Sequence, residues 1–263
     1  MSELPTIQPS PRYTLAMTAR MIVAGVFLSA LIASAQNAVD LGPLPALLSQ
    51  FRTETDRASK ERTLILITTK FPEAGPDLLA LAEGPENGDT KWMAIRGIGY
   101  LKFSGAVPFL KSSLTSKSVF VRSNSARSLG EIGDASAIDP LIAALSKEED
   151  SGVIEQTALA LQWLHAHKAI PTLKTKIGNP SRQTRMWILG AVEHLGGRAE
   201  VPFIAASLQD PDLEVRNFAG RSIQRLTGED FGFPRCGNGL CPMDEWPIVN
   251  AQHWWLNHKQ EWH

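Results

Sequence analysis

Apolar residues recur along this chain with two nested periods, one of three to four residues and one of 31 or 32. The longer period emerges when GIGYLKFSGAVPFL (97–110), SLGEIGDASAIDPL (128–141), LALQWLHAHKAIPTL (159–173) and AVEHLGGRAEVPFI (191–204) are set beneath one another. Leu101, Ile132, Leu164, Leu195 and Leu226 form one ladder, and Val107, Ile138, Ile170 and Val201 form a second. Pro108, Pro171 and Pro202 follow the second ladder directly, whereas the remaining unit carries Asp139-Pro140. Self-similarity at a fixed period of a few tens of residues marks a stacked repeat array.

The shorter period says what each unit is. In residues 118–147, Val121, Ala126, Leu129 and Ile132 supply an apolar stripe at helical spacing. Gly133-Asp134 then breaks the helix, glycine being the usual residue for a left-handed C-terminal turn. A second helix, from about Ser136, carries Ile138, Leu141, Ile142 and Leu145 inward, with Pro140 tolerated in its first turn. Short connections make the two helices antiparallel neighbours. Neither can bury its stripe alone, so the units must stack on a continuous core.

The string Val121-Arg122-x3-Ala126-x2-Leu129-Gly130-x-Ile132-Gly133-Asp134-x2-Ala137-Ile138 resembles the HEAT repeat, in its short bacterial, phycobilisome-lyase-like form. Asp212-x2-Val215-Arg216-x2-Ala219 repeats the opening of that pattern. Lys91-Trp92 and Thr184-Arg185 occupy the Val-Arg positions elsewhere, and the third unit has Glu155-Gln156 nearby, so an Asp/Arg ladder along the stack is expected to be incomplete. The resemblance covers residues 58–228 and implies an all-α fold, a right-handed α-solenoid of stacked antiparallel helix pairs. It says little about function, because such arrays serve unrelated roles.

The flanks differ from the array. Residues 21–33, MIVAGVFLSALIA, follow Arg20 and precede Ala33-Ser34-Ala35, the pattern of a secretory signal with its cleavage site. Residues 1–35 are therefore expected to be a removable leader (Met17 would begin a more typical one), and the run is short for a bilayer span. An uncleaved segment would anchor the chain in a membrane; otherwise the protein is periplasmic or secreted. Residues 36–57 read as a linker and an N-terminal helix with Leu44, Leu47, Leu48 and Phe51 on one face, and Leu64–Leu81 as a degenerate end repeat. After Gly228 the periodicity stops. Residues 229–263 hold both cysteines, four of the seven tryptophans and three of the six histidines. Phe231, Phe233, Trp254 and Trp255 are suited to cover the open end of the array.

Composition narrows the function classes. The 26 basic and 27 acidic residues give a net charge of −1, or −2 without residues 1–35, which leaves no basic footprint for nucleic acid. In an exported chain, Cys236 and Cys241 are expected to form a disulfide across a glycine-containing loop. The alternative is a metal site, since Cys236, Cys241, His253 and His258 lie near two-Cys, two-His zinc spacing. No G-x-S-x-G, G-x4-G-K-[ST] or H-E-x-x-H motif occurs, no cofactor is implied, and no catalytic residue is assigned. His165 and His167 read as turn residues, and Trp163 and Trp187 as core, with an exposed binding anchor as the alternative. The reading that results is an exported, non-catalytic scaffold for a protein partner, bound through the solenoid surface. Second helices are expected to line that surface, making Lys111, Lys147, Lys174 and Lys176 candidate contacts. The alternative is an enzyme subunit or metal-binding protein whose site lies in the Cys/His/Trp tail.

Overall fold

The computed structural model describes residues 43–85, 88–233 and 245–262. The chain divides into two units, residues 1–45 and 46–263, and the repeats lie in the second. The protein is all-α, with no strand among the described residues. Ahead of the regular array come α1 (Leu44–Thr53), α2 (Arg57–Lys70) and α3 (Gly75–Glu83). Helix pairs follow: α4 (Asp89–Tyr100) with α5 (Val107–Ser113), α6 (Val119–Ile132) with α7 (Ile138–Lys147), α8 (Ser151–Trp163) with α9 (Ile170–Lys174), and α10 (Arg182–Gly196) with α11 (Val201–Ala206). The array closes with α12 (Leu213–Thr227) and α13 (Glu245–His258).

Local chemistry sets where these helices begin and end. Ser118, Asp150, Ser181 and Asp212 cap the first helices of successive units, each side chain accepting from a backbone N–H in the first turn. Gly133 ends α6 at φ 82°, the left-handed turn expected there. Lys102 (φ 50°) and His165 (φ 49°) make the corresponding turn without glycine, at a cost of about 1 kcal/mol each. The second helices start later than the pattern predicts. A short 3-10 turn, Ala135–Ala137 before α7, uses up the first residues because the Asp134 carboxylate accepts from Ser136 N and tightens the chain there.

First helices pack on first helices along the stack, α4 on α6, α6 on α8, α8 on α10 and α10 on α12. Ala126, Leu129, Leu141 and Leu145 are fully buried between the layers. The 31-residue ladder is less uniform than its sequence: Leu195 is buried, while Leu101, Ile132, Leu164 and Leu226 are half-buried at the helix ends. The approach of α6 to α8 is close enough to require Gly130, where a Cβ would lie 2.6 Å from the Ala160 Cα.

The far end of the array is covered. Phe231 and Phe233 are buried with Ile248 and Ala251 of α13, and Trp254, Trp255 and Trp262 pack against them. Asn250 Nδ2 donates to the Phe231 carbonyl (3.0 Å), and Gln252 Nε2 donates to that of Leu208 (2.8 Å). Among the described residues no helix is long and apolar enough to cross a membrane. Residues 21–33, Cys236 and Cys241 lie outside the described residues.

Candidate interaction surface

Arginine clamps hold the first helices in register. Arg122, four residues after the Ser118 cap, donates from Nε and Nη2 to the two oxygens of Glu148 (2.7 and 2.9 Å), and from Nη1 to the carbonyls of Ser116 and Lys117. Arg185 repeats this arrangement with Asp210 (2.8 Å twice) and the carbonyls of Asn179 and Pro180. Arg216 bonds the carbonyls of Asp210 and Pro211 and reaches Glu245 of α13 at 3.5 Å. Each clamp ties a first helix to the loop before it and to an acid of the next unit; at the end, α13 supplies that acid. In the third unit Ile154, fully buried, stands at the clamp position, so the ladder is incomplete as the sequence predicts. Burial and the guanidinium oppose each other at Glu148, and the Arg122 and backbone bonds hold its carboxyl below the ordinary range.

The clamps fix the solvent side of the first helices, where side chains fall into rows. Five residues before each member of the Leu101 ladder stand Arg96, Arg127, Leu159 (itself buried), Gly190 and Arg221, whose Nη2 is buried; one residue before stand Tyr100, Glu131, Trp163, His194 and Arg225. The two rows lie one helical turn apart, on one face. Arg127 joins the rows across units, its guanidinium 5.8 Å from the Trp163 ring centre, and neighbouring residues add links: the His165 ring stacks on His194 at 6.0 Å, and Glu193 accepts from Arg225 Nη2 at 2.7 Å. Tyr100 in the rows is 41% exposed, and further aromatics flank them: Phe120 (55% exposed), with Trp187 and Phe218 partly buried. Trp163 and Trp187 are thus half-buried, between the core and anchor roles their positions allow.

Titratable groups on the strip carry the marks of partial burial. Burial of Glu131 pushes its carboxyl up, against the pull of Arg127, Arg96 and Lys102. Glu131 Oε1 accepts from Arg127 Nε (2.8 Å), while Oε2 is buried without a hydrogen-bond partner among the described residues. Burial, followed by the charges of His165 and His167, lowers the His194 pKa; Glu193 opposes them.

The second-helix lysines are mostly engaged within the fold. Lys111 Nζ donates to Ser136 Oγ (2.7 Å), Lys174 pairs with Glu200, and Lys176 Nζ donates to the carbonyls of Ser146 (3.1 Å) and Glu148 (2.8 Å). Lys147 is exposed, and with Lys111, Arg122, Pro140 and Glu148 it lines an open groove of about 510 Å³ between α5, α6 and α7. In the tail His253 is exposed, whereas His258 stacks on Trp254 (4.9 Å) with Nδ1 2.8 Å from the Trp254 carbonyl oxygen. No group of three His, Cys, Asp or Glu residues able to hold a metal occurs among the described residues. The strip itself was hidden in the sequence, although its rows share the ladder's spacing and could have been found by reading one and five residues back from each ladder position.

Comparison with known proteins agrees with this architecture. Residues 75–162 match the HEAT repeats family. Among solved structures, the chain is similar to the complex of CpcE and CpcF of phycocyanin lyase from Nostoc sp. PCC7120, at 20% identity over 83% of this chain and 90% of that one, with a TM-score of 0.52. An engineered protein matches at 18% identity over 70% of this chain and 96% of that one, with a TM-score of 0.49. No curated protein matches the sequence. The chain is an all-α array of helices, part of which is similar to HEAT repeats.

Proposed function

We propose that this protein is an exported, non-catalytic scaffold that binds a protein partner through the solvent side of its first helices. The observation that carries the reading is the strip of arginines and aromatics, joined from unit to unit, on a framework locked by buried clamps. Arg, Tyr and Trp are the residues that concentrate binding energy in protein interfaces. A rigid array presenting them in register pays little ordering cost on binding. The fold neighbour belongs to a complex of two proteins, which supports an assembly role. Export rests on the leader pattern in residues 21–35, and the Cys236–Cys241 disulfide follows from export.

Affinity capture with the full chain from its host envelope tests the reading. One discrete partner is expected, retained by K111Q/K147Q and lost from W163A/W187A that still folds by circular dichroism. Equal capture by wild type and W163A/W187A would contradict it. A second reading, a subunit of an enzyme, is favoured because that neighbour is described as a phycocyanin lyase. Activity lost on deleting residues 229–263, with partner capture intact, would select it.

A further inference from the structure

Helix α13 is apolar on both sides. Pro247, Ile248 and Ala251 are buried on its inner side, with Trp254 and Trp255 packed beside them. Trp246, Val249, His253 and Leu256, spaced by three, four and three residues, share the opposite side. Trp246 is 70% exposed and Leu256 59%, the two most exposed large apolar side chains among the described residues. A surface helix ordinarily turns polar residues to solvent, and one that is apolar all round is buried on both sides. The place of α13 in the stack shows what its outer side is set to meet. It packs on α12 as first helices pack on one another, and its first residue, Glu245, answers Arg216 as Glu148, just ahead of α8, answers Arg122. At each inner step a further helix lies on that side; beyond α13 no α-helix follows among the described residues.

We propose that the outer side of α13 is a homodimer interface, on which α13 of a second copy packs antiparallel about a two-fold axis. The stripe is its own complement. Trp246 and Leu256 are centred on position 251, and so are Val249 and His253. A two-fold axis beside that position therefore sets each Trp246 on the second copy's Leu256, and each Val249 on the second copy's His253. Charge fits the same register. Glu245 and Lys259, both exposed, lie on one flank of the stripe, six residues before its centre and eight after. The axis brings each Glu245 to within about 3–4 Å, along the helix direction, of the second copy's Lys259. Two opposite-charge pairs result, one at each end, whereas a parallel pairing would set Glu245 beside Glu245. Such self-complementary two-fold contacts are the commonest form of association between identical chains. With 14 residues α13 is about 21 Å long. One helix pair of that length is a small interface, so dissociation in the micromolar range is expected.

Sedimentation equilibrium of the full chain between about 1 and 100 μM tests this, and should show monomer passing to dimer. W246E/L256E should stay monomeric throughout, because it places carboxylates inside the contact. K259E should dimerise about tenfold more weakly, since acids then face each other at both ends, and E245K/K259E should recover most of the loss. Melting by circular dichroism checks that each variant folds; the substituted side chains are exposed, and Glu245 lies 3.5 Å from Arg216. Monomer at every concentration, growth past the dimer, W246E/L256E dimerising as wild type does, or K259E and E245K/K259E equally weak would each overturn the proposal. Monomeric wild type that floats with phosphatidylglycerol vesicles, and loses this in W246E/L256E, would assign the stripe to a membrane surface instead. Partner capture on the first-helix side depends on none of these results.

Discussion

Substituting Gly130 by alanine sets two effects of opposite sign against each other. Alanine in place of glycine inside a helix stabilises it by about 1 kcal/mol. Here the added Cβ would lie 2.6 Å from the Cα of Ala160, 2.8 Å from its Cβ and 2.9 Å from Trp163 Cε3. Carbon atoms rest about 3.5–4.0 Å apart, so α6 and α8 must separate by about 1 Å. The nearest obstacle is backbone and cannot rotate away. Overpacking of this kind costs about 2–3 kcal/mol, so G130A should lose about 1–2 kcal/mol net. Gly190, in α10, is the control: a Cβ there meets nothing nearer than Phe218 Cζ at 3.5 Å, an ordinary contact. G190A should therefore gain about 0.5–1 kcal/mol from helix propensity. Urea unfolding of both variants beside wild type, followed by far-UV circular dichroism, reads both signs. G130A as stable as wild type, or G190A as damaging as G130A, would refute the close packing of first helices described above.

Other consequences are accessible to the same methods. R185A removes a two-pronged bond to Asp210 between side chains only 12% and 9% exposed, and should cost about 2–3 kcal/mol in urea unfolding. R185K should recover little of that, because an ammonium lacks the fork, and R216A should cost about 1 kcal/mol less because Glu245 is 3.5 Å away and 71% exposed. His194 has its folded pKa below the ordinary 6.5, so its neutral form is favoured by folding. Its contribution is complete above the unfolded pKa and is lost as pH falls through the lower folded pKa; H194Q should flatten the pH dependence of the melting temperature below about pH 6.5. If Cys236 and Cys241 are joined, mass spectrometry of the intact chain after thiol alkylation should find no free thiol until reductant is added. Two alkylated thiols without reductant would remove the disulfide.

The parts of this protein that were legible in its sequence are those written locally. Helix pairs follow from apolar spacing within a unit, and caps such as Ser118 and Asp150 sit a few residues from the N–H groups they bond. The turn at Gly133 is equally local, whereas the left-handed turns at Lys102 and His165 use residues that do not announce them. Partnerships between units were the hidden part. Lys176 reads as a free surface cation until its contacts with the carbonyls 28 and 30 residues earlier are seen. Arg185 reads as a departure from the repeat beside Thr184, yet it makes the same clamp as Arg122 because the geometry of the cap, not the neighbouring side chain, places it. The depth of the strip's ion pairs was hidden for a related reason. Counting residues does not reveal that Glu131 and Glu193 lie deeper than the arginines they pair with.

The central claim is that the first-helix side of the array is the face a partner protein occupies. Site-specific photocrosslinking in the host, with a photoreactive residue at position 187 on that side or at position 147 on the second-helix groove, tests it most directly. One discrete crosslinked protein is expected from position 187 and none from position 147. Crosslinking from position 147 alone would place the partner on the lysine-lined groove and contradict it.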